Sequence, residues 1–381
     1  MGLGAALLGR LPVVAQVPLA GRLRLRQLGV AIGSLTPGPL NAITDVPGVL
    51  VGQVTLIAGE GPLVIGKGPV RTGVTAILPH GGALSREPVL AADFTLNGNG
   101  ELTGMGPLRR SGWLGAPILF TDTGSVGAAY GAALGYMIAR DPEVLSGVLR
   151  PEPVVGETWA DFLHDTAGGH LHAEHVHQAL DEAQGGPVAE GNTGGGTGMR
   201  AYEFKAGTGT ASRQVECEDR RYTVGVLVQA NHGRRAQLII DGVPVGREIV
   251  DLLPERPDPT KSILAVVATD APLLPLQLRQ LAKRVGLGMA RTGGISTQSS
   301  GDLFLAFSTA QRRSTAPVQP LEVLADGQIT RLYQGVVEAA EEAILNALTM
   351  AQTMIGRDGR IIHALPLDHL IEVLRRHGRV K

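Results

Sequence analysis

The stretch PDPTKSILAVVATDAPLLP, residues 257–275, changes character at a single residue. Before Ser262 the chain is polar and broken by proline, and the longer segment DLLPERPDPTK (251–261) carries three prolines among charged residues. Proline removes a ladder donor, so this part is expected to stay out of a sheet and to be exposed. From Ser262 onward, SILAVVATD (262–270) is a short apolar run with β-branched residues, which predicts a buried strand. One hydroxyl stands at the junction.

A serine that attacks a carbonyl needs a base to take its proton. No G-x-S-x-G surrounds Ser262, which excludes the nucleophile elbow, and its flanks supply no histidine. Two readings stay open. Ser262 is a plain strand residue, or the chain is cut immediately before it and the freed α-amine becomes its base. Such an amine titrates near pH ~8, so a useful fraction is neutral at working pH.

Working outward, VTAILP (74–79), YTVGVLVQ (222–229) and AQLIIDG (236–242) read as strands, as does ITDVPGVLVGQVTL (43–56) with its Pro-Gly turn. Helical spacing marks 125–140, 173–184, 276–291 and 336–354. Strands and helices come in blocks rather than in strict alternation. That order favours an α+β layered sandwich over a doubly wound nucleotide fold.

Composition narrows the function classes. Of 381 residues 44% are hydrophobic and 18% charged, enough apolar material for a large core. A net charge of −1 and 3% aromatic residues give no reason to expect nucleic acid or an anionic membrane surface as partner. No apolar run is long enough to span a membrane, and the default expectation is a cytoplasmic protein. Residues 1–22 read as an N-terminal extension, and composition leaves the domain count open. The lone Cys217 cannot form an internal disulfide and reads as an ordinary loop thiol.

The 53 glycines cluster in TLNGNGELTG (95–104) and EGNTGGGTG (190–198), where tight turns or packed loops beside a site are expected. Neither matches a phosphate loop, since the closing Lys-Ser/Thr is missing. HDTAGGHLHAEHVH (164–177) holds five histidines. It lacks H-E-x-x-H, and a solvated helix face explains it without a metal. No metal and no cofactor are expected.

Taken together, PGPLNAITDVPGVLVG (37–52), LNGNGELTG (96–104), PVVGETWADFLHD (153–165), EGNTGGGTGM (190–199), FKAGTGTASR (204–213), VGVLVQANHG (224–233), SILAVVATDAPLLP (262–275), ARTGG (290–294), SSGDLFLAFST (299–309) and EEAILNAL (341–348) resemble the DmpA-like peptidases. That family comprises the L-aminopeptidase D-esterase/amidases and the β-peptidyl aminopeptidases. The resemblance runs from about residue 23 to the C-terminus. It implies a four-layer αββα sandwich of the DmpA/ornithine acetyltransferase type that cuts itself between Lys261 and Ser262. The products would be an α chain, 1–261, and a β chain, 262–381, assembling as a homo-oligomer, a tetramer of αβ units.

The resemblance also implies roles. Ser262 would be the N-terminal nucleophile and Asn231 of QANHG an oxyanion-hole donor. Ser300 and Asp302 of SSGD would orient the nucleophile and its amine. Glu157 of GET would pair with the free ammonium of a small peptide, amide or ester substrate. Trp159 stands where relatives can carry a tyrosine that also binds the oxyanion, and its indole N–H would donate from a different place. Lys261 stands where glycine or asparagine is usual. An N-to-O acyl shift needs a strained, accessible peptide there rather than a particular side chain. Acyl transfer of the ornithine acetyltransferase type and a noncatalytic, unprocessed homologue are the alternatives.

Overall fold

Two β-sheets stack face to face, and each carries helices on its outer side. The computed structural model describes residues 21–146, 150–255 and 261–380. Most of the N-terminal extension and residues 256–260 of the proline-rich stretch therefore lie outside the described residues. Where the described chain begins, Arg22 already donates to the carbonyls of Leu348 and Leu365.

In chain order, β1 (Leu50–Ala58) and β2 (Val70–Leu78) form an antiparallel pair, and β3 (Val89–Gly98) leads into α1 (Met105–Ser111) and β4 (Trp113–Leu114). β5 (Ile118–Asp122), α2 (Val126–Arg140), β6 (Val154–Thr158) and α3 (Ala173–Asp181) follow. A two-stranded ribbon, β7 (Arg200–Ala201) and β8 (Phe204–Lys205), precedes the long hairpin of β9 (Thr208–Cys217) and β10 (Arg220–His232). Then come α4 (Val245–Glu248), β11 (Lys261–Thr269), α5 (Pro275–Arg291), β12 (Gly301–Arg312) and α6 (Asp326–Thr349). A ribbon of β13 (Met354–Ile355) and β14 (Ile361–Ile362) and helix α7 (Leu367–Arg376) close the chain.

The first sheet has the order β1-β2-β5-β6 and the second β4-β3-β12-β11-β10-β9. β11 and β12 are parallel, which requires a crossover, and α5 supplies it. The run after Ser262 is apolar throughout because β11 is buried on both faces. Leu264 and Val266 meet Phe120, Ile118 and Ile77 between the sheets. Ile263, Ala265 and Val267 meet the layer of α5 and α6, with Leu281, Val285 and Ile344. On the far side α2 and α3 cover the first sheet, with Ala129, Ala133 and Val176 against Val54 and Val74. The layers are αββα, as the resemblance implied. Each fully buried Leu, Ile or Val contributes about 1.5–3 kcal/mol, so the double burial of β11 is a large part of what fixes its register.

Several local expectations change. Residues 43–45 form a 3-10 turn, and the strand starts only at Leu50. AQLIIDG is no strand: Asp241 and Gly242 adopt φ of 50° and 77°, a tight turn that lets Ile240 and Val243 bond each other. Leu238 and Ile240 are buried without a ladder, and apolar content alone had suggested a strand. The last long helix starts ten residues before the expected position, at Asp326, and stops at Thr349. Cys217 ends β9 and is buried, not in a loop. Most informative is β10, which continues past Gln229 to His232 and so carries Asn231 into the sheet.

Candidate active site

Ser262 lies at the start of β11, flanked by both neighbouring strands. Asn231 of β10 is its antiparallel partner and Gly301 of β12 its parallel one. Residues directly opposite in an antiparallel pair project to the same face about 5 Å apart. The Asn231 and Ser262 side chains therefore share the face turned to the other sheet. Both are buried. Ser262 Oγ accepts from the Gly301 N–H at 3.3 Å. Lys261, backbone-paired with His232, places the bond before Ser262 at the very edge of the ladder.

His232 is the histidine nearest in register, and it belongs to the opposite face. Its Nε2 lies 3.2 Å from the Tyr202 hydroxyl, which also contacts Thr292 Oγ1 at 2.7 Å. Burial pushes its pKa down to about 3. It is a neutral core group rather than a base for Ser262.

Beside Ser262, Asp302 is ringed by donors. Ser300 Oγ donates to Oδ1 and Ser296 Oγ to Oδ2, both at 2.5 Å, and the Ile263 N–H adds a further hydrogen bond. Burial nevertheless raises the Asp302 pKa above the ordinary carboxylate value, against those hydrogen bonds. Glu157, on β6 of the opposite sheet, is likewise buried, and burial is the largest cause of its raised pKa. It accepts from the Thr123 hydroxyl and from the Glu101 N–H at 3.1 Å. Gly100 brings the two sheets' contributions together. A Cβ there would sit 3.0 Å from Glu157 Oε1 and 3.3 Å from Gly301 Cα, so a larger residue would crowd both.

Trp159 follows Glu157 at the rim. Its side chain is 55% exposed, and its contact with the site runs through the backbone: Asn231 Nδ2 donates to the Trp159 carbonyl at 3.0 Å. The expected indole donor is therefore a rim group in this geometry. Asn231 Oδ1 accepts from the Arg200 N–H at 3.1 Å, which assigns the amide's orientation from both ends.

The structure thus brings Ser262, Asn231, Glu157 and the Trp159 backbone to one end of the layer between the sheets, with Ser300 and Asp302 beside Ser262 on the neighbouring strand end. Sequence reasoning missed Ser296, Thr123 and the Arg200 N–H. It quoted the segments around Arg200 without giving them work. Of the glycine-rich segments, 194–196 forms a buried 3-10 turn, where a Cβ on Gly195 would lie 2.3 Å from both Gln229 Oε1 and the Phe120 carbonyl. It is a spacer between sheets and has no room for a phosphate. The histidine cluster is not a solvated face either. His164, His170 and His175 are buried, with Arg71 N–H, Asp165 and His172 N–H as respective partners. Among the described residues no group of three or more His, Cys, Asp or Glu side chains is placed to hold a metal ion.

The αββα layers, with a serine heading a central strand, define the N-terminal-nucleophile hydrolase class of fold. Comparison with known proteins takes this to the family. Residues 41–362 match the model of peptidase family S58. The beta-peptidyl aminopeptidase BapA of Sphingosinicella xenopeptidilytica is 44% identical, covering 95% of this chain and 93% of its own. Among solved structures, the L-aminopeptidase D-Ala-esterase/amidase of Ochrobactrum anthropi, described as a variant of the Ntn hydrolase fold, superposes with a TM-score of 0.88 at 42% identity. It covers 94% of this chain and 99% of its own. A Burkholderia sp. beta-aminopeptidase superposes at 0.84 with 43% identity, over 93% and 99% of the two chains. The chain belongs to peptidase family S58, and it is a hydrolase of the aminopeptidase and amidase type.

Proposed function

We propose that the single catalytic domain, 23–381, cuts itself between Lys261 and Ser262, and that Ser262 then hydrolyses the bond after the N-terminal residue of small peptides, amides or esters. In the first reaction Ser262 Oγ attacks the Lys261 carbonyl carbon. The C–N bond breaks as an ester forms, the amine leaves with the hydroxyl's proton, and water hydrolyses the ester. In each later turnover the neutral α-amine takes the Oγ proton as Oγ attacks the substrate carbonyl, then returns it to the leaving group. Asn231 Nδ2 stabilises the oxyanion with the N–H not given to Trp159. Ser300 and Asp302 hold the amine and the hydroxyl in place.

One observation carries this reading. Glu157 and Asp302 are buried at one site, and the contacts found for both are hydrogen-bond donors with no cation among them. A carboxylate in that position gains most from a charged donor, because charge-assisted bonds are roughly twice as strong as neutral ones. The substrate's ammonium on Glu157 and the new N-terminal amine of Ser262 near Asp302, which becomes an ammonium as it takes the Oγ proton, complete the site.

The names of the relatives point to β-amino, L-α-amino and D-alanyl residues at the substrate's N-terminus, and we infer that this chain takes one of these classes. The test is a matched set of β-alanyl, L-alanyl and D-alanyl p-nitroanilides with the amine free or acetylated. Turnover confined to the free amines is expected. Equal turnover of the acetylated forms contradicts the role of Glu157. Tetramers of cut units, resting on the family resemblance, and the default cytoplasmic location complete the proposal. Light scattering on the purified protein tests the assembly. No helix among the described residues is long and apolar enough to cross a membrane.

A further inference from the structure

Lys205 has no part in the chemistry described above, yet it is fully buried. Burial drives its pKa well below the ordinary lysine value. Burying such a group is costly unless its hydrogen bonds are placed with purpose. Its Nζ donates to two carbonyl oxygens, those of Met199 and Ala206, both at 2.6 Å.

The Met199 carbonyl is one end of a peptide group whose other end is the Arg200 N–H. That N–H donates to Asn231 Oδ1 at 3.1 Å, and Asn231 Nδ2 is the donor assigned to the oxyanion. The bonds therefore run head to tail: Lys205 Nζ to the Met199 carbonyl, the Arg200 N–H to Asn231 Oδ1, and Asn231 Nδ2 onward to the reacting oxygen. An amide whose carbonyl accepts a hydrogen bond is a better donor at its N–H, because resonance couples the two ends of the planar group. Each such bond strengthens the next by about 10–30% in condensed phase. The chain passes through two amides, one of the backbone and one of a side chain.

The Met199–Arg200 peptide is itself pinned. Met199 Sδ accepts from Thr158 Oγ1 at 2.9 Å, and Gln229 Nε2 donates to the same hydroxyl at 2.8 Å. Thr158 lies between Glu157 and Trp159, so the ammonium subsite, the rim and the oxyanion donor are tied to one peptide group.

We propose that Lys205 is a positioning residue of the oxyanion hole, which, through the Met199–Arg200 peptide, fixes the orientation of Asn231 and strengthens the N–H it presents to the substrate. This rests on the oxyanion role given to Asn231 above. Lys205 touches neither substrate nor nucleophile.

A double-mutant cycle tests it, with rates expressed per mole of cut chain. Lys205→Met keeps the side chain's bulk and removes the donor. It is expected to lower kcat about tenfold with KM unchanged, a fraction of the loss from removing an oxyanion donor outright. In an Asn231→Ala background the same substitution is expected to change kcat less than about twofold, because the group it acts through is gone. Lys205→Gln retains one donor and should fall between wild type and Lys205→Met. Equal losses in both backgrounds, or no loss in either, overturn the proposal alone. An Asn231→Ala enzyme as active as wild type refutes the oxyanion role and this proposal with it. If Lys205→Met does not fold, the cycle is run with Lys205→Gln. Failure of both to fold shows a structural role only and also overturns the proposal.

Discussion

Two buried polar clusters in this molecule use the same residue types to opposite ends. Under α6, Arg213 donates to Glu338 at 3.2 Å and Glu342 at 2.7 Å, while Arg26 and Asn41 also reach Glu342. Burial works against the charge of Glu338, but hydrogen bonds from Gln334, Ser34 and Leu35 and the charge of Arg213 outweigh it and hold its pKa below the ordinary value. At the active site, Glu157 and Asp302 are ringed by hydroxyls and backbone N–H groups, and burial wins: both pKa values are raised. The first cluster is complete as folded. On the reading proposed above, the second is complete only with a substrate ammonium and the freed amine of Ser262, and that difference would separate a structural carboxylate from a catalytic one.

The largest effect that could break the comparison is at Ser262. Ser262→Ala is expected to leave the chain uncut and without measurable turnover, while thermal unfolding stays close to wild type. Next comes the structural cluster. Arg213→Met leaves two carboxylates buried without their shared cation and should cost about 3–5 kcal/mol of stability in denaturant melts, with kcat of the folded fraction unchanged. An equal loss of kcat would merge the two clusters into one.

Asn231→Ala should lower kcat by about 10²–10³ with little change in KM, measured on a free-amine anilide. Glu157→Gln should reduce kcat/KM by about 10- to 100-fold through KM, the worth of a hydrogen bond to a charged group. The sign of the pH effect follows from the raised pKa. Glu157 is an anion only above that pKa, so beneath the limb set by the Ser262 amine a second, lower acid limb of kcat/KM is expected above pH 4.5, the ordinary value, and should be lost in Glu157→Gln. A limb at or below 4.5 that survives the substitution contradicts the assignment. The smallest effect is expected at Trp159. Trp159→Ala keeps the carbonyl that Asn231 uses and removes an exposed ring, so kcat should change by no more than about twofold.

A layered α+β sandwich was legible from the blocks of strand and helix patterns, whereas its four αββα layers came only with the family resemblance. Ser262, Asn231, Ser300, Asp302 and Glu157 were legible as a set only through the family resemblance. No local rule singles out Asn231, whose place depends on the register between β10 and β11. Ser296 and Thr123 were out of reach for the same reason, since their partners lie on other elements. Thr123 and Glu157 are 34 residues apart and meet only after the first sheet forms. AQLIIDG shows the reverse error, an apolar run that packs as a turn because Asp241 and Gly242 bend it.

The account turns on the bond between Lys261 and Ser262, and the mass of the purified wild-type protein under denaturing conditions tests it most directly. Two chains are predicted, one ending at Lys261 and one beginning at Ser262. A single intact chain that still hydrolyses amino-acid p-nitroanilides would contradict the account, because Ser262 would then act without the amine that serves as its base.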